Sequence, residues 1–391
     1  MIMTRGENRL WNRPAVRGFA AQSLAVLALG FIIVGATLEA HDKMLARHMP
    51  LGFGFWHQIA GFDIEQALIP FAASSSTYGT AFFVGLINTL LVAVLGIVFA
   101  TMLGFTIGVA RLSRNFVVAR LSAAYVEMFR NIPLLLQLLF WYNAILRPLP
   151  APRQSLHLPF GAVLNNRGLM LPGPHITTGS WPMALALILG LVLGLGLLRM
   201  ARRAKRMTGV SGGLGWWGLA LAIALPLAAA LSFGAPLRFT MPQLQGFNYV
   251  DGLSLYPELI ALLLGLSLYT AAFIAEIVRS GIQSVAKGQR EAALALGLPH
   301  LLILRMIVVP QALRVIIPPL TNQYLNLTKN STLAVAIGYP DLAQIFMGTV
   351  LNQTGAAVQI VFITMGVYLA ISLITALAMN HWNRKAALHE R

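Results

Sequence analysis

The residues with the most chemistry to offer sit inside an otherwise greasy stretch. Asn326, Thr328, Lys329, Asn330, Ser331 and Thr332 form a polar run between apolar segments. An ionisable group at the centre of a membrane helix costs about 2.5 to 3.5 kcal/mol on insertion scales, so such a group marks a candidate path for a polar solute. The Lys329 ammonium suits a substrate carboxylate. It suits equally the plainer roles of pairing with a neighbouring helix or reaching the outer surface along its own stem. Glu276 suits a substrate ammonium, yet Arg279 follows three residues on, at the spacing of an ion pair within one helix. Gln137 and Tyr142 are further polar candidates for the path. Glu127 and Arg130 repeat the three-residue spacing and read as a structural pair.

Signatures of catalysis do not accompany these residues. The chain has no HExxH and no GxxxxGK followed by Ser or Thr, so it carries neither the zinc-protease nor the P-loop signature. GVSGG, at 209–213, fits G-x-S-x-G, but that motif works at a strand-to-helix turn. Between two apolar segments it reads as a linker. His41, His48 and His57 are not spaced as metal ligands on one helix, and the absence of cysteine excludes disulfides and thiolate metal sites. The expectation is a chain with no catalytic residue, no metal and no cofactor of its own.

The elements that must position the polar run are membrane helices. Of the 391 residues 57% are hydrophobic and 10% charged, and the mean hydropathy is +0.73. Soluble domains carry about 25% charged residues, so this is an integral membrane protein. A crossing needs about 20 apolar residues. Eight segments qualify: 19–38, 82–110, 128–146, 181–198, 214–233, 257–278, 312–337 and 356–379. The first is longer than a signal-peptide core and reads as an uncleaved span. The seventh is interrupted by Pro318-Pro319 and contains Lys329.

Charge sets the expected orientation. With the N-terminus inside, the inner segments hold Arg5, Arg9, Arg13 and Arg17, then Arg111, Arg114, Arg120 and Arg130, then RMARRAKR (199–206). Further along they hold Arg279, Lys287, Arg290, Arg305 and Arg314, and finally Arg384, Lys385 and Arg391. Basic residues concentrate on the cytoplasmic side, so both termini are expected in the cytoplasm. This also accounts for the net charge of +16 without nucleic acid. Residues 146–256 stand apart. A proline-rich loop leads into two spans of Leu, Ala and Gly, and the stretch reads as an insertion into a core. GLVLG (190–194) has the spacing of a helix-packing motif, a common pattern in apolar helices. The expected division is 1–80, 81–145, the insertion 146–256, and 257–391.

One segment fits none of the spans. QREAALALGLPHLLILRMIVVPQ (289–311) is apolar, yet Arg290, Glu291, His300 and Arg305 interrupt it. Its first half is made of helix formers, with Glu291 expected in the first turn, where the helix dipole favours a carboxylate. Gly297 and Pro299 should end that helix. A second helical run is expected from His300 to Val309, stopped by Pro310. Two uses fit: a helix lying on the inner leaflet, or a helix docking into a groove of a partner.

EAALALG followed by IVVPQ resembles the EAA loop of ABC importer permeases. YVEMFRNIPLLLQLLFWY (125–142), AAFIAEIVRSGIQSVAKGQREAALALG (271–297) and PQALRVIIPPLTNQYLNLTKNSTLAVAIGYPDL (310–342) resemble successive blocks of permeases of the polar amino acid uptake family. The inserted region and the outer segment 41–80 resemble the larger permeases of general L-amino acid importers. The resemblance implies an all-α membrane protein with a type I importer core of about eight spans. The loop 279–311 would be the coupling helix, with Glu291, Ala292, Ala293 and Gly297 as its contact positions. The implied partners are a dimer of cytoplasmic ATPase subunits that binds ATP and Mg, a second related permease and a periplasmic amino acid binding protein, at the inner membrane. The sequence departs from the family at Arg290, where an aromatic is frequent, and at Asn330-Ser331-Thr332, where an acidic residue followed by Thr-Ser is frequent. An ion-gradient-driven secondary transporter is the competing expectation; such proteins commonly show inverted repeats.

Overall fold

The computed structural model describes residues 14–46, 52–174, 181–208, 214–232 and 239–387. Arg5, Arg9, Arg13, His48, the 209–213 linker and Arg391 lie outside them. Long apolar runs become helices: α1 (Pro14–Ala46), α2 (Tyr78–Ala110), α5 (Trp181–Thr208), α6 (Leu214–Ser232), α7 (Pro257–Gln283) and α12 (Ala357–Ala387). Among the described residues four helical stretches are long and apolar enough to cross a bilayer: Tyr78–Ala110, Pro257–Gln283, His300–Ile337 and Ala357–Arg384. Shorter apolar helices cover Ala21–Ala36, Leu134–Leu146, Ile188–Ala201 and Trp216–Leu225.

The chain divides into two compact units. The first is built from the N-terminal part up to Asn88 and from Pro340–Ile371. Its core gathers Phe55, Ile64, Tyr78, Val84, Phe346 and Ile360. Tyr78 donates its hydroxyl to Gln353 Oε1 at 2.9 Å. Asn88, fully buried, donates to the carbonyls of Gln66 at 2.7 Å and Pro340 at 2.9 Å. Asp341 begins the helical turn that follows. Its carboxylate accepts the Gln344 amide at 2.7 Å and the Tyr368 hydroxyl at 2.9 Å.

The second unit, from Thr89 to Tyr339 with the end of α12, is organised around α7. Glycines let its neighbours approach backbone to backbone. A Cβ at Gly104 or Gly108 of α2 would lie 2.6 Å from Ile274 and 2.7 Å from the Ala275 carbonyl oxygen. A Cβ at Gly265 of α7 would lie 2.4 Å from Leu138. Such seams have little hydrophobic drive in lipid and depend on close packing. Helices α5 and α6 also meet through small residues. Ala186, Gly190 and Gly194 are buried on one face of α5, and a Cβ at Gly218 of α6 would come within 2.8 Å of the Gly194 carbonyl oxygen. The GLVLG spacing is therefore a real packing face, although little in its apolar surroundings sets it apart.

Three expectations about individual elements need correction. The stretch 128–146 is not one helix. α3 (Phe116–Asn131) ends before Ile132-Pro133, both extended, and α4 (Leu134–Leu139) resumes and widens into a π-helical turn, Phe140–Leu146. Proline forces its predecessor out of the helical region. By contrast Pro318-Pro319 do not interrupt α10 (Val309–Asn330), which runs through them. Pro310 does not stop the preceding run either. α9 (His300–Ile303) passes through a wide turn, Leu304–Val308, directly into α10. Within a helix proline clashes with the carbonyl four residues back, and the extra residue in the wide turn relieves this.

The loop flanking α5 and α6 is not unstructured. β1 (Leu156–His157), β2 (Val163–Asn165), β3 (Gly168–Leu171) and β8 (Leu253–Leu255) form an antiparallel sheet in that order. β4 (Gly173–Pro174) pairs with β5 (Phe239–Thr240), and β6 (Gln243–Gln245) with β7 (Asn248–Val250). The strands are two to four residues long, too short for alternation to show in the sequence.

Candidate functional site

The 289–311 segment folds as a self-contained hairpin at the end of α7. Val285, buried, anchors the chain after α7, and α8 runs from Lys287 to Ala295. It begins earlier than expected. Glu291 therefore lies beyond the first turn and does not meet the N-terminal dipole, which corrects that reading. Ala293 is buried in a core with Val285, Ile303, Val308, Ala312 and Ile316. Glu291, Ala292, Leu294 and Leu296 face outward.

Gly297 ends α8 as the sequence indicated. Its φ is +74°. The Gly297 amide bonds the Leu294 carbonyl at 2.9 Å, and the Leu298 amide bonds the Ala293 carbonyl at 3.2 Å. This is the paired closure of a Schellman turn, which satisfies the last carbonyls of the helix. Pro299, extended, then starts α9. Around the turn large apolar side chains are exposed, Leu296 and Leu301 at 79% and 78% and Met306 at 65%, with His300 and Arg305 exposed among them. An exposed helix with this rim is built to be covered.

Glu276 is not a free carboxylate. One oxygen accepts from Arg111 at the end of α2, and the other accepts from Arg279. Arg130 of α3 stands 4.0 Å away and lies over the Phe273 ring at 5.1 Å. The Glu276–Arg279 pair is thus the one its spacing foretold. The guanidinium groups of Arg111 and Arg130 are additional. Arg130 turns to Glu276, and no ion pair with Glu127 is found among the described residues, so the expected Glu127–Arg130 pair is replaced. Arg111 was missed because its partner is distant in sequence. The only signal was that it is the first charge after a 33-residue apolar helix.

The polar run splits in two. Thr328 and Ser331 are buried, and their hydroxyls donate to the Tyr324 and Thr328 carbonyls, each at 2.8 Å. Thr332 donates likewise to Lys329. These hydroxyls serve the helix backbone. Asn326 and Lys329 are exposed on the other face, with Asn330 half-buried. Gln137 is also committed. Its amide donates to the Phe129 and Ile132 carbonyls, each at 2.9 Å, and so covers the end of α3 at the proline break. Tyr142 donates to Glu258 at 2.8 Å. No cluster of three or more His, Asp or Glu able to hold a metal occurs among the described residues.

Long apolar helices, with an exposed helical hairpin after α7, define the class as a polytopic membrane component. The chain belongs to the family of binding-protein-dependent transport system inner membrane components, whose pattern matches residues 96–387. It is similar to AapQ of Rhizobium johnstonii, a general L-amino acid transport system permease protein, with 52% identity covering 97% of this chain and 94% of that one. With the amino-acid ABC transporter permease protein YhdX of Escherichia coli strain K12 the identity is 50%, over 97% and 96%. BztB of Rhodobacter capsulatus, a glutamate/glutamine/aspartate/asparagine transport system permease protein, is 38% identical over 96% and 95%.

Proposed function

We propose that the chain is the membrane-spanning permease subunit of an ABC importer for amino acids, of broad polar or general L-amino acid range. The observation that carries this is the exposed, self-capped α8 with its apolar rim, in a chain that is alike from end to end to permeases named for amino acid transport. In this reading α8 is the coupling helix. Glu291, Ala292 and Gly297 meet a cytoplasmic ATPase, and Ala293, on the buried face, ties the helix to α9 and α10. ATP and Mg are bound by that separate subunit. A second related permease completes the pathway, and a periplasmic binding protein delivers substrate. Both termini then lie in the cytoplasm, in line with the distribution of Lys and Arg. Lys329 and Asn326, exposed on α10, are the side chains best placed to line a path with the second permease. Glu276 and Gln137 are held in structural bonds and recede as candidates.

The decisive experiment is amino acid uptake by the co-purified complex in proteoliposomes. Uptake is expected to need both ATP and the binding protein, and competition among amino acids then defines the range. Uptake that ignores ATP and follows an ion gradient would make the protein a secondary transporter instead.

A further inference from the structure

Between the end of α2, the start of α3 and the coupling hairpin lies an open cleft of about 910 Å³. No acidic residue lines it, whereas Arg114, Lys287 and Arg290 do. None of these three has an ion-pair partner among the described residues. Arg290 donates from one terminal nitrogen to the Ile282 carbonyl at 3.3 Å, and its Nε is buried without an acceptor. The rest of the wall is largely apolar, with Val118, Leu304 and Val308 among its members. The cleft thus offers three cations beside a greasy channel. That chemistry matches one class of molecule, a phosphate group attached to hydrocarbon.

We propose that the cleft holds an anionic phospholipid of the inner leaflet, its phosphate between Arg114, Lys287 and Arg290 and its acyl chains along the apolar wall. Basic pockets between spans on the cytoplasmic side take such headgroups. A free phosphate would leave the apolar wall wet, and a zwitterionic lipid would bring its own ammonium into a cleft with three cations and no carboxylate to receive it. Lys287 and Arg290 belong to α8, so the bound lipid braces the coupling helix against the ends of α2 and α3. The inference rests on the orientation proposed above and not on the identity of the substrate.

The test uses the whole transporter in nanodiscs of mixed phosphatidylcholine and phosphatidylglycerol, followed by detergent exchange and quantification of retained lipid. The wild type is expected to retain phosphatidylglycerol severalfold over phosphatidylcholine. The double variant Arg114→Gln with Arg290→Gln should lose that preference. Val118→Trp fills the apolar wall without changing charge, and it should lower retention as well; it decides the matter alone if the double variant does not fold. Arg120→Gln, exposed and outside the cleft, should retain lipid as the wild type does. Equal retention of both lipids by the wild type, or undiminished phosphatidylglycerol in Val118→Trp, overturns the proposal. Displacement of the lipid by millimolar inorganic phosphate would reassign the cleft to a small free anion and overturn it too. Lipid retention is read without transport, so its failure is separable from failure of the importer reading.

Discussion

Glu276 holds together residues that lie far apart in the chain, and its replacement should show it. Glu276→Gln leaves Arg111 and Arg279 facing one another with a neutral amide between them. A loss of about 1 to 3 kcal/mol is expected, read as a lower unfolding temperature of the purified protein, with Glu276→Asp in between. Asp341 gives a second test. It lies between spans and is fully buried, and burial pushes its carboxyl up to about 6, against the pull of the Gln344 amide and the Tyr368 hydroxyl. In the unfolded chain the same carboxyl sits near 3.8. The fold therefore binds this proton more tightly, and the stability it contributes is lost as the pH rises from about 4 through 6. Asp341→Asn should flatten that part of the pH–stability curve while keeping an oxygen for the Gln344 amide. A curve unchanged by the substitution would assign the pH dependence elsewhere. At this scale the sequence revealed what is local. The Glu276–Arg279 pair was legible because both residues sit on one turn of helix. The contribution of Arg111 was not, because it depends on how α2 packs on α7.

At the scale of elements, glycine decides most of what matters. Gly297 adopts a φ that costs other residues about 1 to 2 kcal/mol, yet nothing lies within 4 Å of where its Cβ would be. Gly297→Ala should weaken the turn modestly. Gly297→Arg adds bulk and charge at the exposed rim, and should abolish retention of the ATPase in a pull-down while the protein still inserts. Normal retention by the arginine variant would count against the coupling role. Gly104→Val tests the α2–α7 seam, where a side chain would meet Ile274. Overpacking of this kind costs about 1 to 3 kcal/mol, so a lower unfolding temperature is expected with the exposed face of α8 unchanged. The C-terminal end of α8 at Gly297 could be read from glycine and proline geometry; its start at Lys287 was not read, and 128–146 read as one span although Pro133 breaks it. The passage of α9 into α10 could not be read, since a wide turn leaves no compositional mark. Nor could the short strands of the insertion, whose pairing is decided in space.

For the molecule as a whole, orientation is the property most open to test, and the absence of cysteine makes the test clean. Phe160, 92% exposed in the loop before α5, and Leu296, on the 289–311 hairpin, can each be replaced by a single cysteine. Phe160→Cys should react with an impermeant maleimide added to intact cells, and Leu296→Cys only in inverted vesicles. The reverse pattern would invert the proposed topology. Four of the expected apolar segments lie in helices long and apolar enough to cross a bilayer, legible because lipid demands length and greasiness above all. Which residues line a substrate path was not legible, because Thr328, Ser331 and Gln137 turn out to bond the backbone, and such bonds leave no mark in sequence.

The Schellman turn at Gly297 carries a mechanical consequence. The last carbonyls of α8 are closed by amides of the next two residues, so that end of the helix asks nothing of whatever grips it. Ala293 on its inner face is clamped to Ile303 and Val308, and Pro299 stiffens the step between the two arms. A pull on such a piece is passed on and not absorbed: it moves as a knuckle moves, and α10, which grows from it without a break, is the finger.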